Sequence, residues 1–163
     1  MPDGGGFGRF LVEILRAEGV SGFSVVPLSG MSEEVLSAHD VVLLADGALG
    51  EERAARLERW VEAGGGLVAM RPDPRLAPLV GVHIQPGGVA EGYLRVAASE
   101  SAGGITDRAM QFHGTADRYA LDGAEAVADL LDAHGSSTGA PAVTVRSGDG
   151  KTRIISCDYL AGC

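Results

Sequence analysis

The chain has 163 residues, 45% apolar and 21% charged, a balance that suits one folded domain and excludes a wholly disordered, collagenous or coiled-coil polypeptide. Its formal net charge of −9, from 22 acids against 13 bases, gives a surface that repels a phosphate backbone, so neither nucleic acid nor anionic membrane is expected as a partner. No apolar run approaches the roughly 20 residues of a membrane-spanning helix, and Met1 to Gly6 has neither the basic nor the apolar region of a secretory signal.

Phe7, Phe10, Leu11, Ile14 and Leu15 fall at helical spacing, opposite Arg9, Glu13 and Arg16, and predict an amphipathic helix over 7–18 with Gly19 as its stop. Phe23 to Leu28 is a β-rich run bounded by Gly22 and Gly30, and its Pro27 suits a strand end or a sheet edge. Ser32 before Glu33 and Glu34 marks a helix start, because a hydroxyl caps free amides and acids suit the positive end of the dipole; the helix ends near His39. Val41 to Leu44 is apolar on consecutive residues, which predicts a strand buried on both faces inside a parallel sheet.

Glu51 to Ala63 carries Leu57, Trp60 and Val61 on one stripe and closes at Gly64-Gly65-Gly66; a second strand, Leu67 to Met70, follows. Strand, helix and strand with short connections form a βαβ unit. Beyond Arg71 the prolines at 72, 74, 78 and 86 break the periodicity, a turn of helix is expected near 75–80, and Gly87-Gly88 and Gly103-Gly104 mark loops. Further strands are expected at 93–96, 110–112, 127–131, 143–145 and 153–157, several alternating as antiparallel strands do; residues 124–133 suit a short helix equally well. Residues 142–146 and 153–158 form the best hairpin candidate, across Ser147 to Lys151.

Phe7 to Gly19, Asp40 to Leu44, Trp60 to Asp73 and Gln111-Phe112-His113-Gly114-Thr115-Ala116-Asp117-Arg118-Tyr119 form a distinctive set of segments. Taken together, they resemble the glutamine-amidotransferase-like domain of large bacterial proteins that also carry sugar-binding or immunoglobulin-like modules. The resemblance implies an α/β fold: a flavodoxin-like, doubly wound, mostly parallel sheet with antiparallel strands toward the C-terminus, in one domain over 1–163. It also implies neighbouring domains and a secreted multidomain parent. Its usual first strand precedes the helix at Phe7, where this chain has three successive glycines, a poor strand. A second copy of the chain supplying that pairing, in a swapped or intimate homodimer, is the corresponding expectation.

An active amidotransferase holds a Cys on a tight strand-to-helix turn, with amides for the oxyanion and a His as base. After Leu67 to Met70 this chain reads Arg71-Pro72-Asp73-Pro74, and a guanidinium is not a nucleophile. Cys157 lies between Ser156 and Asp158 without a glycine turn, Gly-x-Ser-x-Gly is absent, and Gly4, Gly6 and Gly8 lack the preceding strand of a phosphate loop. No catalytic residue and no cofactor is therefore assigned. Cys157 and Cys163 lack zinc spacing and are read as structural, or as a single late bridge in an exported protein. His39, His83 and His134 are scattered, no two histidines stand at metal-ligand spacing, and nothing in the spacing of Asp46, Asp73 and Asp117 asks for calcium.

Polar residues gather where an open α/β sheet places ligands, beyond the carboxyl ends of its strands. Asp46 follows the strand at 41–44 and Arg71 and Asp73 follow that at 67–70, while His113, Asp117 and Arg118 occupy a loop after Phe112, a segment the resemblance places over the same edge. A guanidinium with carboxylates and an imidazole suits a polyol, sugar or carboxylate ligand. The competing expectation is structural: an Arg71–Asp73 bridge pinning the Pro-rich loop, His113 on a backbone carbonyl, and Asp46-Gly47 as a turn. Trp60 and Phe7 are read as core anchors, Tyr93 and Tyr119 as rings near loops able to stack on a pyranose, and Asp122, Glu125, Asp129 and Asp132 as a solvated face. The functional expectation is a non-catalytic module for ligand binding or assembly in carbohydrate handling. The alternative is a hydrolase using His113 or Asp73 as base and Arg71 as anion stabiliser.

Overall fold

The computed structural model describes residues 7–96, 106 and 108–147, and the chain divides between Leu79 and Val80 into two units. The first opens with α1 (Phe7–Ala17), which ends as its sequence dictates: Gly19 takes a φ of 82°, and the Val20 amide reaches back to the Leu15 carbonyl at 2.9 Å. Helix α2 (Glu33–Ser37) starts at Ser32, whose hydroxyl accepts from the Val35 amide at 3.2 Å. Strand β1 (Val41–Leu44), helix α3 (Glu51–Glu62) and strand β2 (Gly66–Ala69) form the expected βαβ unit, with β1 and β2 parallel in the register Val42↔Leu67. A 3-10 turn (Pro74–Leu76) leads into α4 (Ala77–Val80).

The core of this unit is built by Leu36, Leu49, Leu57 and Leu76, with Val42, Leu44, Leu67 and Trp60 packed against them. Leu57, with no exposed surface, is its centre, and Trp60 is the anchor its place on the helical stripe implied. Two sequence expectations fail here. The run Phe23 to Leu28 forms no strand: among the described residues no strand pairs with it, Pro27 withholds a donor, and Val25 and Val26 stand exposed, ending in a 3-10 turn at Leu28–Gly30. Nor is β1 buried on both faces, since Val42 and Leu44 face the core while Val41 and Leu43, beside Val68, are 47%, 43% and 44% exposed. An apolar run satisfies strand geometry whether one face or two is covered.

The second unit is antiparallel. Strand β3 (Val82–Ala90) pairs with β6 (Thr115–Leu121), and β4 (Tyr93–Val96), β5 (Met110–Gln111), β7 (Glu125–Leu131) and β8 (Ser137–Val145) form a four-stranded sheet in the order β5-β4-β7-β8. Val89, Leu130 and Ala140 make its core, with Phe112 and Ala116 packed against them. Residues 124–133 are thus a strand and not a helix through most of their length. Gly87-Gly88, expected as a loop, lies inside β3 at a register shift between Gln85 and Gly88.

Among the described residues one ladder is parallel and four are antiparallel, so the expected flavodoxin-like, doubly wound, mostly parallel sheet is not formed. The physical reason lies in the second half of the chain, where no helix stands between the strands among the described residues, and direct connections give antiparallel pairs. Strand β8 pairs with β7, across a turn in which the Asp132 carboxylate accepts from the His134 and Ser136 amides; the second half of the expected hairpin of 142–146 with 153–158 lies outside the described residues. The strand expected at 153–157, Cys157, Cys163 and the poor first strand at residues 1–6 lie outside the described residues.

Candidate functional site

In the first unit, Asp46 and Arg71 stand just beyond the carboxyl ends of β1 and β2, as expected for an open sheet. Arg71 Nη1 lies 3.9 Å from Asp46 Oδ2, with both side chains about half exposed, at 53% and 46%, a separation and exposure at which an ion pair contributes little. Arg71 is one of two non-glycine residues among those described with positive φ, at 48°. Asp73 plays another part. Its carboxylate is buried, Oδ2 accepts from the Leu49 amide at 2.7 Å and Oδ1 from the Arg75 amide at 2.9 Å, while Arg75 Nη1 approaches to 3.2 Å. Burial by itself would raise its pKa, and this is the largest single influence; the amides of Arg75 and Leu49 and the Arg75 guanidinium together outweigh it and hold the carboxyl below its ordinary value. Asp73 pairs with Arg75, then, where the sequence reading paired it with Arg71.

In the second unit, His113 is exposed and its Nδ1 lies 2.9 Å from Glu91 Oε2, so the ring meets a carboxylate and not the expected backbone carbonyl. Glu91 itself has φ 49°, and its Oε1 accepts from the Gly114 amide at 2.6 Å. That amide first, and His113 second, hold the Glu91 carboxyl below its ordinary value. Asp117 and Arg118, expected in a loop with His113, belong instead to strand β6. The ladder that carries them is β3–β6, in the second unit, whereas Asp46, Arg71 and Asp73 follow the β1–β2 ladder of the first.

A site that sequence reasoning did not find lies wholly within the second unit. An open groove of about 440 Å³ is lined by residues including Gln85, Arg118, Tyr119, Asp129, Gly139 and Pro141. Gln85 and Arg118 are cross-strand partners, so they share a face of their ladder, and Asp129 is the partner of Pro141. Both ladders are irregular at this place: β3 shifts register after Gln85, and β7 shifts on either side of Asp129. Bulges re-aim side chains and collect beside binding sites. No sequence signal marks the groove, because it depends on the pairing of β3 with β6, and the residues 115–121 read as polar loop.

Among the described residues no three His, Cys, Asp or Glu side chains are grouped to hold a metal, and no helix is long and apolar enough to cross a membrane.

No protein-family model matches the chain, and no curated protein does. Three solved structures do. A β-galactosidase from Rahnella sp. R3 matches with a TM-score of 0.65 and 21% identity over 81% of this chain and 21% of its own. The α-L-fucosidase isoenzyme 2 from Paenibacillus thiaminolyticus matches with a TM-score of 0.52 and 17% identity, over 80% of this chain and 22% of its own. A β-galactosidase from Bacillus circulans sp. alkalophilus gives 0.50 and 18%, over 66% of this chain and 18% of its own. The chain therefore spans about a fifth of the length of the solved chains it matches. At these identities the likeness is one of fold. These neighbours and the antiparallel second unit overturn the resemblance to a glutamine-amidotransferase-like domain: the fold is similar to that of a segment of two β-galactosidases and an α-L-fucosidase.

Proposed function

We propose that this chain is a non-catalytic module of a carbohydrate-acting protein, contributing ligand binding or assembly and not bond cleavage. The fold likeness to a fraction of larger galactosidase and fucosidase chains supports the carbohydrate setting. The state of the carboxylates carries the non-catalytic reading. Hydrolysis of a glycoside calls for an acid whose pKa is raised, facing a second carboxylate. Among the described residues the carboxylates with displaced acidity, Asp73, Glu91 and Asp132, all move downward, each accepting from one or two backbone amides that help outweigh the effect of burial. A group so engaged holds a loop; it is a poor proton donor near neutral pH and, as Asp73 shows, a weak base as well.

The test is turnover by the purified chain of nitrophenyl β-galactoside and nitrophenyl α-L-fucoside. No hydrolysis above the uncatalysed rate is expected. Turnover that disappears in Asp73→Asn or His113→Gln, with the fold intact by circular dichroism, would reinstate the acid–base hydrolase built on Arg71, Asp73 and His113.

A further inference from the structure

The groove of the second unit contains a partly buried cation that has no carboxylate partner among the described residues. Arg118 is partly buried, its Nε is shielded from solvent with no hydrogen-bond partner, and its Nη2 makes a long contact of 3.5 Å to the Thr138 carbonyl. Among the described residues no carboxylate lies within ion-pairing distance of it. Asp129, the acid of the same groove, is already engaged, at 3.3 Å from Nη2 of Arg95, its cross-strand partner. A guanidinium with one nitrogen shielded from water and unpartnered gains from an anion placed against its exposed donors, as charges drawn toward an interior ordinarily do. The groove is thus an open recess of ligand size whose described lining offers the Arg118 guanidinium no carboxylate partner.

From this we infer that the groove binds a small carboxylate-bearing sugar of the hexuronate class, with the carboxylate on Arg118. A planar fork of donors suits a carboxylate, and hydroxyl groups find the Gln85 amide on the same face of the ladder and the remaining acceptor capacity of Asp129. Gly139 completes the opening: a Cβ placed there meets nothing within 4 Å, so the backbone is bare toward open space. The inference rests on the carbohydrate-module reading above, and names the ligand class that reading leaves open.

The experiment is titration of the ¹⁵N-labelled full chain with sodium galacturonate and, in parallel, with galactose, following amide shifts. Saturable shifts at Gln85, Arg118 and Gly139 with galacturonate, absent with galactose, are expected. Arg118→Lys, which keeps the charge and loses the fork, should weaken binding about tenfold or more, and Arg118→Gln should abolish it. If Arg118→Gln does not fold, as judged by amide dispersion, the lysine variant and the two sugars on the unaltered chain carry the test. Equal binding of galactose overturns carboxylate recognition while leaving the module reading intact. No saturable shift with either sugar overturns the site, and glycoside turnover, which would sink the module reading, is measured separately.

Discussion

Asp73 accepts a hydrogen bond from the backbone amide of Leu49, 24 residues earlier, and so ties the loop after β2 to the loop after β1. The tie is placed where a ligand or nucleophile would stand in an open sheet, and it is structural. Replacing Asp73 by Asn keeps the volume but leaves one carbonyl to do the work of two carboxylate oxygens, so a buried amide loses its acceptor. A loss of about 1–3 kcal/mol is expected in urea unfolding of the full chain. The pH dependence has a definite sign. The folded carboxyl titrates below its ordinary value of 3.8, so its contribution is complete above that pH and is lost as the pH falls through the lower, folded value. Midpoints measured from pH 7 down to 3 should fall less steeply in Asp73→Asn than in the unaltered chain.

A second contact fixes the exit of α3. The indole of Trp60 lies over Gly65, and a Cβ built on that glycine comes within 2.5 Å of ring atoms Cδ2 and Cζ2. Gly65→Ala therefore forces the ring out of its place against the core, and should destabilise by about 1–3 kcal/mol. A blue-to-red shift of the single tryptophan's emission as the ring meets water checks the mechanism; an unchanged spectrum with full stability would show that the ring yields without cost.

The first unit was largely legible because its signals are local. Ser32 with Glu33 and Glu34 marks a helix start, Gly19 a stop, and Leu57 with Trp60 a buried stripe, and each is realised within a few residues of where it was read. What the sequence could not reveal was the number of covered faces, because Val41 to Leu44 has the same composition whether Leu43 meets a helix or solvent. In the second unit the information is non-local. Pro86-Gly87-Gly88 reads as a break, but the strand absorbs it as a register shift, and only the partner β6 makes that visible. Asp117 and Arg118 disguise β6 as a loop, so the groove has no signal in the sequence, although Arg118 itself stands among the candidate residues.

Glu91 offers a residue-level test of the turn between β3 and β4. Its carboxylate accepts from the Gly114 amide at 2.6 Å, while its own amide donates to the Gly114 carbonyl at 2.9 Å, so the two residues clasp each other in both directions. The Gly114 amide proton should shift with pH and report protonation of Glu91, with a midpoint below the ordinary 4.5, because that amide stabilises the charged form. Glu91→Gln should remove the inflection, and His113→Gln should move it upward, since the imidazole is the second influence that lowers it. An inflection at or above 4.5 would show that the clasp does not persist in solution.

Two leucines separate the covered face of the first unit from its open one. Leu57 has no exposed surface and sits among Leu36, Leu49 and Leu76, so Leu57→Ala removes methyl groups from a packed core and leaves a cavity; a loss of about 2–5 kcal/mol is expected. Leu43 is 43% exposed, on the opposite side of β1 from the core residues Val42 and Leu44. Leu43→Thr keeps a β-compatible side chain and should change stability by no more than about 0.5 kcal/mol in either direction. If Leu43→Thr cost as much as Leu57→Ala in the full chain, the outer face of β1 would have to be covered in solution. Light scattering on the same samples would then tell whether a second copy covers it, since a self-associated chain would lose mass on that substitution and a monomer would not.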